Sequence, residues 1–347
     1  MFVAGYTGDY GADNIDAIVI GVGRDNGTVM QAYRLDAKLP FDNTREYIVD
    51  LTIHGNTTYL LGMTDAYDPG NYDIAVANVT RIGVNETAEK LYIIGNPGIY
   101  EIPGSGGWRV GGESIVVDAL GYVWFIGEYR GANGYNRTLV FRLTHNLSTI
   151  VFVKQLAPYT PEDEFYPTTI EIPEARAIAY VGGIGVNSLY NVRYGYIIRV
   201  HNDSTLSYTY TLRDDGWSKD VEITGMDIYL YQDTYRIRLV ANVENIVSDS
   251  EIVFEEGLPP YSWSDYSCSI VDKTSEAMRY NITSIPTTPL PPPVNTNLEN
   301  PGYNENIYLA ILQEQQPPPP IPETYIQITV VAVIVSIVLG IQVKRLK

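Results

Sequence analysis

The sequence predicts an all-β protein: a β-propeller of about five four-stranded blades, followed by a stalk and one transmembrane helix. Three observations predict this fold. The 347 residues include 29 tyrosines together with many strand-forming valines, isoleucines and threonines. A motif recurs about every 58 residues, and a long uncharged apolar stretch lies near the C-terminus. We expect a propeller over 1–284, a proline-rich stalk over 285–324, a membrane helix over 325–343 and a basic tail over 344–347.

A small residue marks the same position in each copy of the repeat. Successive markers are 57, 65, 56 and 58 residues apart, a period found in propellers and other repeat folds. The markers are Gly5, Gly62, Gly127, Gly183 and Ala241. A short β-type run precedes each marker strand after the first, and further runs follow, which indicates four strands per copy. Blades buried on both faces would explain why the strand centres are almost continuously apolar.

The first copy starts at its second strand, because Val3 already belongs to a marker strand. A late strand, either at Cys268 or at Asn306, is expected to complete this copy and close a five-bladed ring. The alternative is that upstream blades are absent from this chain, which would give about six to eight blades in the full protein.

Three stretches carry a resemblance to a known family. The run IVVDALGYVWFIGEY, the VAGYT that begins at Val3 and the DIAV that begins at Asp73 resemble the SBBP-type β-propeller repeats of secreted and surface proteins. The fifth copy departs from that pattern because it lacks both the glycine and the threonine. The resemblance covers about residues 1–280 and implies a propeller fold, and it transfers no catalytic residue.

The C-terminal part predicts a membrane anchor. The 325–343 stretch has no formal charge and, as a helix, would span about 28 Å, close to the hydrocarbon thickness of a bilayer. It ends in KRLK, so the positive-inside rule places the tail in the cytoplasm and everything before Tyr325 outside. The two proline clusters before it cannot lie within a helix or a central strand, which indicates an extended stalk.

Eight glycosylation acceptor triplets precede the stalk and support an exported, glycosylated domain. They begin at Asn26, Asn56, Asn78, Asn85, Asn136, Asn146, Asn202 and Asn281. The N-terminus shows neither a basic region nor an apolar region typical of a signal peptide. A missing N-terminal segment explains this better than tail-anchored insertion, which would leave the large domain in the cytosol.

Composition excludes several function classes. The net charge of −18 argues against a general nucleic-acid binder, because phosphates are neutralised by clustered lysines and arginines. The single cysteine, Cys268, excludes an intramolecular disulfide and a multi-cysteine metal site. We expect His54, His145 and His201 to be turn residues on the solvent side and not metal ligands. No enzyme motif is present, so neither a catalytic residue nor a cofactor is predicted.

Two polar or glycine-rich segments have competing interpretations. The glycine-rich stretch 103–112 has no helix start to hold a phosphate and is predicted to connect two blades. The acidic run 161–164 is interpreted as a hydrated loop, with a calcium site as the weaker alternative. The run Asp25-Asn26-Gly27 is likewise interpreted as a hairpin turn, with a cation-binding loop as the weaker alternative.

The preferred function is binding, adhesion or cell-envelope structure by a membrane-anchored surface protein. Candidate recognition residues are Trp108, Trp217 and Trp263, which stand beside Gly, Ser or acidic residues, although such aromatics also serve as lids over blade ends. The expected partners are membrane lipid through 325–343 and an envelope protein or glycan. The sequons and the bare anchor resemble those of archaeal envelope proteins.

Two other functions stay open. The first is an extracellular propeller enzyme, a glycan lyase or hydrolase that uses carboxylates from different blades near the axis. Asp118 is the residue to examine for it, although an aspartate at a strand end more often caps a turn. The second is a virion structural or attachment protein with the same anchor.

Overall fold

The strands of this protein form antiparallel sheets. The computed structural model describes residues 2–7, 16–22, 29–35, 45–68, 71–80, 90–104, 113–130, 134–173, 177–231, 234–243, 252–258 and 261–274. The described residues contain 21 strands in five sheets, and every pairing between them is antiparallel. The all-β prediction is therefore confirmed.

Sheets 1 and 2 come from the first two copies of the repeat. The strands of sheet 1 are β1 (Phe2–Thr7), β2 (Asp16–Val22) and β3 (Val29–Leu35). The strands of sheet 2 are β4 (Glu46–His54), β5 (Thr57–Asp68), β6 (Asn71–Thr80) and β7 (Lys90–Gly95). In each sheet the strands pair in chain order.

Sheets 3, 4 and 5 follow in the same way. The strands of sheet 3 are β8 (Glu101–Pro103), β9 (Ile115–Val117), β10 (Val123–Arg130), β11 (Asn136–Leu143) and β12 (Ile150–Pro158). Those of sheet 4 are β13 (Glu164–Glu171), β14 (Ile178–Asn187), β15 (Val192–His201) and β16 (Leu206–Asp214). Those of sheet 5 are β17 (Val221–Tyr231) and β18 (Thr234–Val243).

Three further strands lie along the outer edges of sheets 4, 3 and 2, in reverse order. They are β19 (Ile252–Glu256) beside β16, β20 (Tyr261–Asp265) beside β12 and β21 (Ser269–Asp272) beside β7. The prediction that the strand at Cys268 completes the first copy is therefore wrong, because it pairs with β7. The physical reason is that an outer edge with unpaired backbone groups is capped by an added strand. The alternative strand at Asn306 lies outside the described residues.

Successive sheets share cores. Alternate side chains of a strand point to opposite faces, so Val123 and Phe125 of β10 face the core shared with sheet 2. Trp124 and Ile126 face the core shared with sheet 4. A smaller core joins sheet 4 to sheet 5 around Ile223. Burial on both faces is the physical reason for the continuous apolar strand centres.

The marker residues lie opposite an irregularity in the first strand of their sheet. Gly62 pairs with Ile48, and the register then skips Val49. The register skips Thr168 opposite Gly183 and Thr224 opposite Ala241 in the same way. A Cβ atom on Gly62 would clash with the backbone oxygen of Tyr47, so glycine is required by close backbone approach.

In sheet 3 a longer interruption takes the place of this single residue. Both β8 and β9 pair with β10: Pro103 lies opposite Gly127, and Ile115 lies opposite Phe125. The strands β8 and β9 therefore both belong to the first-strand position of sheet 3, and residues 105–112 between them lie outside the described part of the chain. The prediction that 103–112 connects two blades is wrong, and the insertion explains why the repeat lengthens to 65 at this point.

Hydrogen bonds join the first strands of neighbouring sheets at the level of these irregularities. Two bonds link sheet 2 to sheet 3, because Ser114 N and Ile115 N both donate to Asp50 Oδ2. A bond from Ile170 N to Glu113 O links sheet 3 to sheet 4, and a bond from Thr168 Oγ1 to Ile223 O links sheet 4 to sheet 5.

Among the described strands, no pairing joins sheet 1 to sheet 5, and none closes a barrel. Within the same residues, no helix is long and apolar enough to cross a membrane. The predicted stalk over 285–324, helix over 325–343 and tail over 344–347 lie outside the described part of the chain.

Candidate functional site

The structure separates the three tryptophans that the sequence singled out. Trp263 lies within β20 and not in a loop, its ring packs against the core between sheets 3 and 4, and its Nε1 donates to Ser204 O. Trp217 lies in the turn after β16 and stays a candidate. Trp108 lies outside the described residues. Trp217 packs against the same core as Trp263, so the two differ in that Trp217 lies in a turn and Trp263 lies in a strand.

Trp217 is the centre of an aromatic cluster at one end of sheet 4. Its ring stacks on Tyr190 at a centroid distance of 5.6 Å and meets Tyr194 edge-on at 5.5 Å. The guanidinium of Arg213 lies 4.9 Å from the centre of the Trp217 ring. A cation over the face of a tryptophan is attracted by the ring quadrupole, so this arrangement holds the ring in place.

The turn that carries Trp217 is held by a single aspartate. Trp217 N donates to the carbonyl of Asp214, and the Asp214 carboxylate accepts from both the backbone N and the hydroxyl of Ser218. The bond from Ser218 N is the main reason why the pKa of Asp214 is lowered. Trp217 adopts a φ of 50°, which is uncommon for a bulky residue and which this local network maintains.

The turn between β14 and β15 is equally well ordered. The side chain of Asn187 accepts hydrogen bonds from Leu189 N and Tyr190 N. Ser188 donates both its backbone N and its hydroxyl to Asp163 Oδ1. These bonds fix Leu189, which is 80% exposed, and Tyr190, which is 52% exposed. Two large apolar side chains are thus presented to solvent on a rigid turn.

Tyr159, in the connection between β12 and β13, is also exposed at this end. We call the surface formed by Tyr159, Leu189, Tyr190 and Trp217 the aromatic end. Sequence reasoning found only Trp217 of these four. An apolar pair inside a short turn, as in Ser188-Leu189-Tyr190, was the signal that pointed to the others, but in a chain with 29 tyrosines it does not stand out.

The acidic run 161–164 supports the aromatic end and matches the predicted hydrated loop only in part, since Pro161 and Glu162 are exposed in a turn. Asp163 is buried and is bonded to Ser188, so it is not part of a hydrated loop. Glu164 belongs to β13 and accepts from Asn136 N and from the Tyr166 hydroxyl. Within the described residues no group of three or more His, Cys, Asp or Glu side chains is arranged to hold a metal ion.

Carboxylates from four successive sheets interact along their first strands. Burial raises the pKa of Glu171 to about 7, with smaller contributions from the charges of Glu113 and Asp227. The pKa of Glu113 is raised first by desolvation and then by Asp50. Burial also raises the pKa of Asp50, against the hydrogen bonds that it accepts from backbone groups of sheet 3. A carboxyl with a pKa near neutrality is suited to proton transfer.

Asp118, the carboxylate singled out for an enzyme, is a structural residue. Its side chain accepts from Leu120 N, Tyr122 N and Trp124 Nε1, as a turn cap does. It is buried and forms an ion pair with Arg142. The turn-cap interpretation is therefore the one that matches the structure.

The remaining predicted positions are scattered. His54 ends β4, His145 lies in the turn after β11, and His201 ends β15, each in a different sheet. Among the sequons, Asn56, Asn146 and Asn202 are exposed in turns, Asn78 is buried in β6, and Asn136 is half-buried at the start of β11. The other three, Asn26, Asn85 and Asn281, lie outside the described residues, as does the run Asp25-Asn26-Gly27.

Comparisons with known proteins add no function: no protein-family model matches the chain, and neither does any curated protein.

Proposed function

We propose that this protein is a membrane-anchored, extracellular β-propeller that binds another component of a cell envelope, a glycan or a protein, through the aromatic end. The propeller is supported by the sheets themselves. Sheets 2, 3 and 4 each begin as an up-and-down meander in chain order, and each shares a core with the next sheet. Blades of a propeller are built and packed in this way.

The observation that carries the binding proposal is the exposure of Leu189 and Tyr190 beside a fixed tryptophan. Isolated exposed apolar residues are common, but here two exposed ones are adjacent in the chain, and one of them, Tyr190, stacks on Trp217. Rigid aromatic side chains supply contact area at a small entropic cost and stack on sugar rings or partner side chains. Loops at the end of a rigid sheet scaffold are where such recognition is usually placed.

The placement outside the cell rests on sequence features alone. Three features support a domain that is tethered outside the cell. They are the apolar 325–343 stretch, the basic KRLK that follows it and the proline clusters before it. The net charge of −18 disfavours anionic partners and favours neutral or basic ones.

The test is capture from envelope extracts by the full-length chain in detergent. We expect the double variant L189A/Y190A to lose at least about 10-fold of the captured partner, because exposed aromatic anchors carry much of an interface's free energy. Both side chains are exposed, so the double variant should stay folded. The matched control is L120A, since Leu120 is 63% exposed but lies in the turn between β9 and β10, away from the aromatic end. Equal capture by all three proteins would contradict the proposal.

A second candidate function, an enzyme acting on glycans, is favoured by Glu171. Its pKa of about 7 and its electrostatic interaction with Glu113 and Asp227 are properties of acid–base residues. The E171Q variant separates the two functions. Loss of glycan cleavage with retained capture would favour the enzyme, whereas absence of any cleavage by the unaltered protein would leave binding as the function.

A further inference from the structure

The exposed sequons lie in turns of one kind. In sheets 2, 3 and 4 the turns between first and second strands, and between third and fourth strands, lie at one end of the sheet. Asn56 lies in the turn between β4 and β5, Asn146 in the turn between β11 and β12, and Asn202 in the turn between β15 and β16. The topology therefore places all three asparagines at the same end of their respective sheets.

Hydrogen bonds between sheets show that these ends are adjacent. Tyr59, close to Asn56 in sheet 2, donates its hydroxyl to the carbonyl of His145 in sheet 3, at 2.9 Å. Arg142 Nη1 of sheet 3 donates to the carbonyl of Asn202 in sheet 4, at 3.1 Å. The three turns thus form one surface, which we call the sequon end.

The aromatic end is the opposite one. The turn between β14 and β15 and the connections that join sheet 3 to sheet 4 and sheet 4 to sheet 5 lie where the first strand of each sheet begins. The bond from Asn136 N to Glu164 joins sheets 3 and 4 at that end, and the bond from Ser188 N to Asp163 holds the turn between β14 and β15 to the connection before β13. Leu189 and Tyr190 are therefore separated from the sequon end by the length of the strands.

The surroundings of the asparagines differ between the two groups of sequons. Asn146 Oδ1 accepts from Thr144 Oγ1, Ser148 N and Ser148 Oγ, so its turn is stable while the residue stays exposed. Asn56 and Asn202 are exposed as well. In contrast, Asn78 is 9% exposed, and its Oδ1 accepts from Lys90 N of the neighbouring strand. A glycan at Asn78 would require the end of this strand pair to open.

Asn136 is the sequon at the aromatic end. It pairs with Arg130 at the start of β11, its N donates to Glu164, and its carbonyl accepts from Arg137. Its backbone is thus held on both sides, and its side chain is half-buried. A glycan attached there would compete with these neighbours for space.

We infer that N-linked glycans are carried by Asn56, Asn146 and Asn202, that Asn78 and Asn136 are unmodified in the folded protein, and that sugars therefore cover the sequon end and leave the aromatic end bare. This inference rests on the proposed function only in requiring export of the domain. Glycans are bulky and hydrated, and they fit on exposed turns. They would shield one end from partners and leave the opposite end free to bind.

The last described residues of the chain also lie at the sequon end. Strand β21 runs along β7, with Ser269 opposite Gly95 and Asp272 opposite Tyr92. Thr274, the last described residue, donates its backbone N to Asp272 Oδ1, and its hydroxyl accepts from Leu91 N near the start of β7, which is at the sequon end. A tether that begins after Thr274 would therefore start among the glycans and not at the aromatic end.

The test is a site map of glycans on the full chain, exported behind a cleavable signal sequence by cells that glycosylate Asn-x-Ser/Thr and extracted from their membranes in detergent. Enzymatic removal of the sugars in ¹⁸O-water labels each formerly occupied asparagine, and mass spectrometry of peptides reads the label. We expect occupancy at Asn56, Asn146 and Asn202 to exceed that at Asn78 and Asn136 by at least about 10-fold, because the latter two are partly or fully buried.

Two sets of variants sharpen the result. The triple variant N56Q/N146Q/N202Q should lose the part of the gel shift that three glycans cause, whereas N78Q should lose none. Equal labelling of Asn78 or Asn136, or absence of label from Asn56, Asn146 and Asn202 in the exported protein, would overturn the inference. Occupancy in such cells does not depend on partner capture, so failure here leaves the capture experiment unaffected, and failure of capture leaves the glycan map standing.

Discussion

Arg142 Nη2 lies 3.1 Å from Asp118 Oδ2, and both side chains are buried. The guanidinium also lies 3.8 Å from the centre of the Tyr122 ring and donates to the carbonyl of Asn202 in sheet 4. Asp118 thereby organises the turn between β9 and β10, and Arg142 attaches that turn to the next sheet. The ion pair is thus a structural connection at the sequon end.

Removal of the Asp118 carboxylate should destabilise the fold strongly. The D118A variant leaves Arg142 buried without its carboxylate and removes the acceptor of Trp124 Nε1. Breaking one partner of a buried pair costs about 3–5 kcal/mol in the free energy of unfolding, which urea titration measures.

The matched control is D265N, because Asp265 pairs with Lys154 but is exposed. Loss of such a surface pair changes the free energy of unfolding by about 1 kcal/mol or less. If D118A and D265N unfold at the same urea concentration, the structural role assigned to Asp118 is wrong.

Replacement of a marker glycine by alanine should also destabilise the protein. The loss of stability should exceed that caused by the same replacement at a strand glycine with more space around it. A Cβ on Gly62 would meet the backbone oxygen of Tyr47, which cannot move aside as a side chain can. We expect G62A to cost about 1–3 kcal/mol or more, as overpacking does. For G225A the nearest atom is 3.8 Å away, so its unfolding free energy should change by less than about 1 kcal/mol. Equal stabilities in thermal or urea unfolding would refute the requirement for close backbone approach.

The raised pKa of Glu171 predicts a specific dependence of stability on pH. In the folded protein its pKa is about 7, above the ordinary value of 4.5 for a glutamate, so between these values the folded state binds more protons than the unfolded state. The contribution of this carboxyl to stability is therefore fully present below about pH 4.5 and is lost as the pH rises through 7.

The E171Q variant tests this dependence. Glutamine stays neutral, so the free energy of unfolding of E171Q minus that of the original protein should increase between about pH 4.5 and pH 7 and then level off. A difference that does not change with pH, measured by urea titration at a series of pH values, would show that Glu171 is not perturbed by burial, Glu113 and Asp227.

Cys268 reports on the strands that return along the outer edges. Burial, with a smaller contribution from Glu101, raises the pKa of its thiol to about 12. Only the thiolate is nucleophilic, so at pH 8 alkylation of the native protein should be slower than that of the urea-unfolded protein by about 100-fold or more. Similar rates would mean that the segment between β20 and β21 is not packed as described.

The sequence predicted much of the fold because the relevant signals are local. The marker spacing located β5, β10 and β14, and hairpin turns such as the one at Gly55 joined neighbouring strands in chain order. The return strands were not predictable in the same way. Ser269–Asp272 is a short run with no distinctive pattern, and its pairing with β7 depends on which sheet edge is left open by the rest of the chain.

The candidate site was predictable only in part. Trp217 and Trp263 looked the same in sequence, and both pack against the core between sheets 3 and 4, but Trp217 lies in a turn whereas Trp263 lies within β20. The distinction depends on β20 lying beside β12, a contact between residues about 100 positions apart. Tyr190 could be recognised as a candidate residue only from the structure, in which its ring stacks on Trp217.

Exposure of the sheet domain outside the cell underlies both the proposed binding function and the glycan pattern. Treatment of intact cells of the native source with a protease that does not cross membranes, followed by immunoblotting for the sheet domain, measures it most directly. We expect the domain to be released or degraded while the 325–343 segment stays with the membrane. A domain that is digested only after the cells are lysed would contradict the extracellular placement.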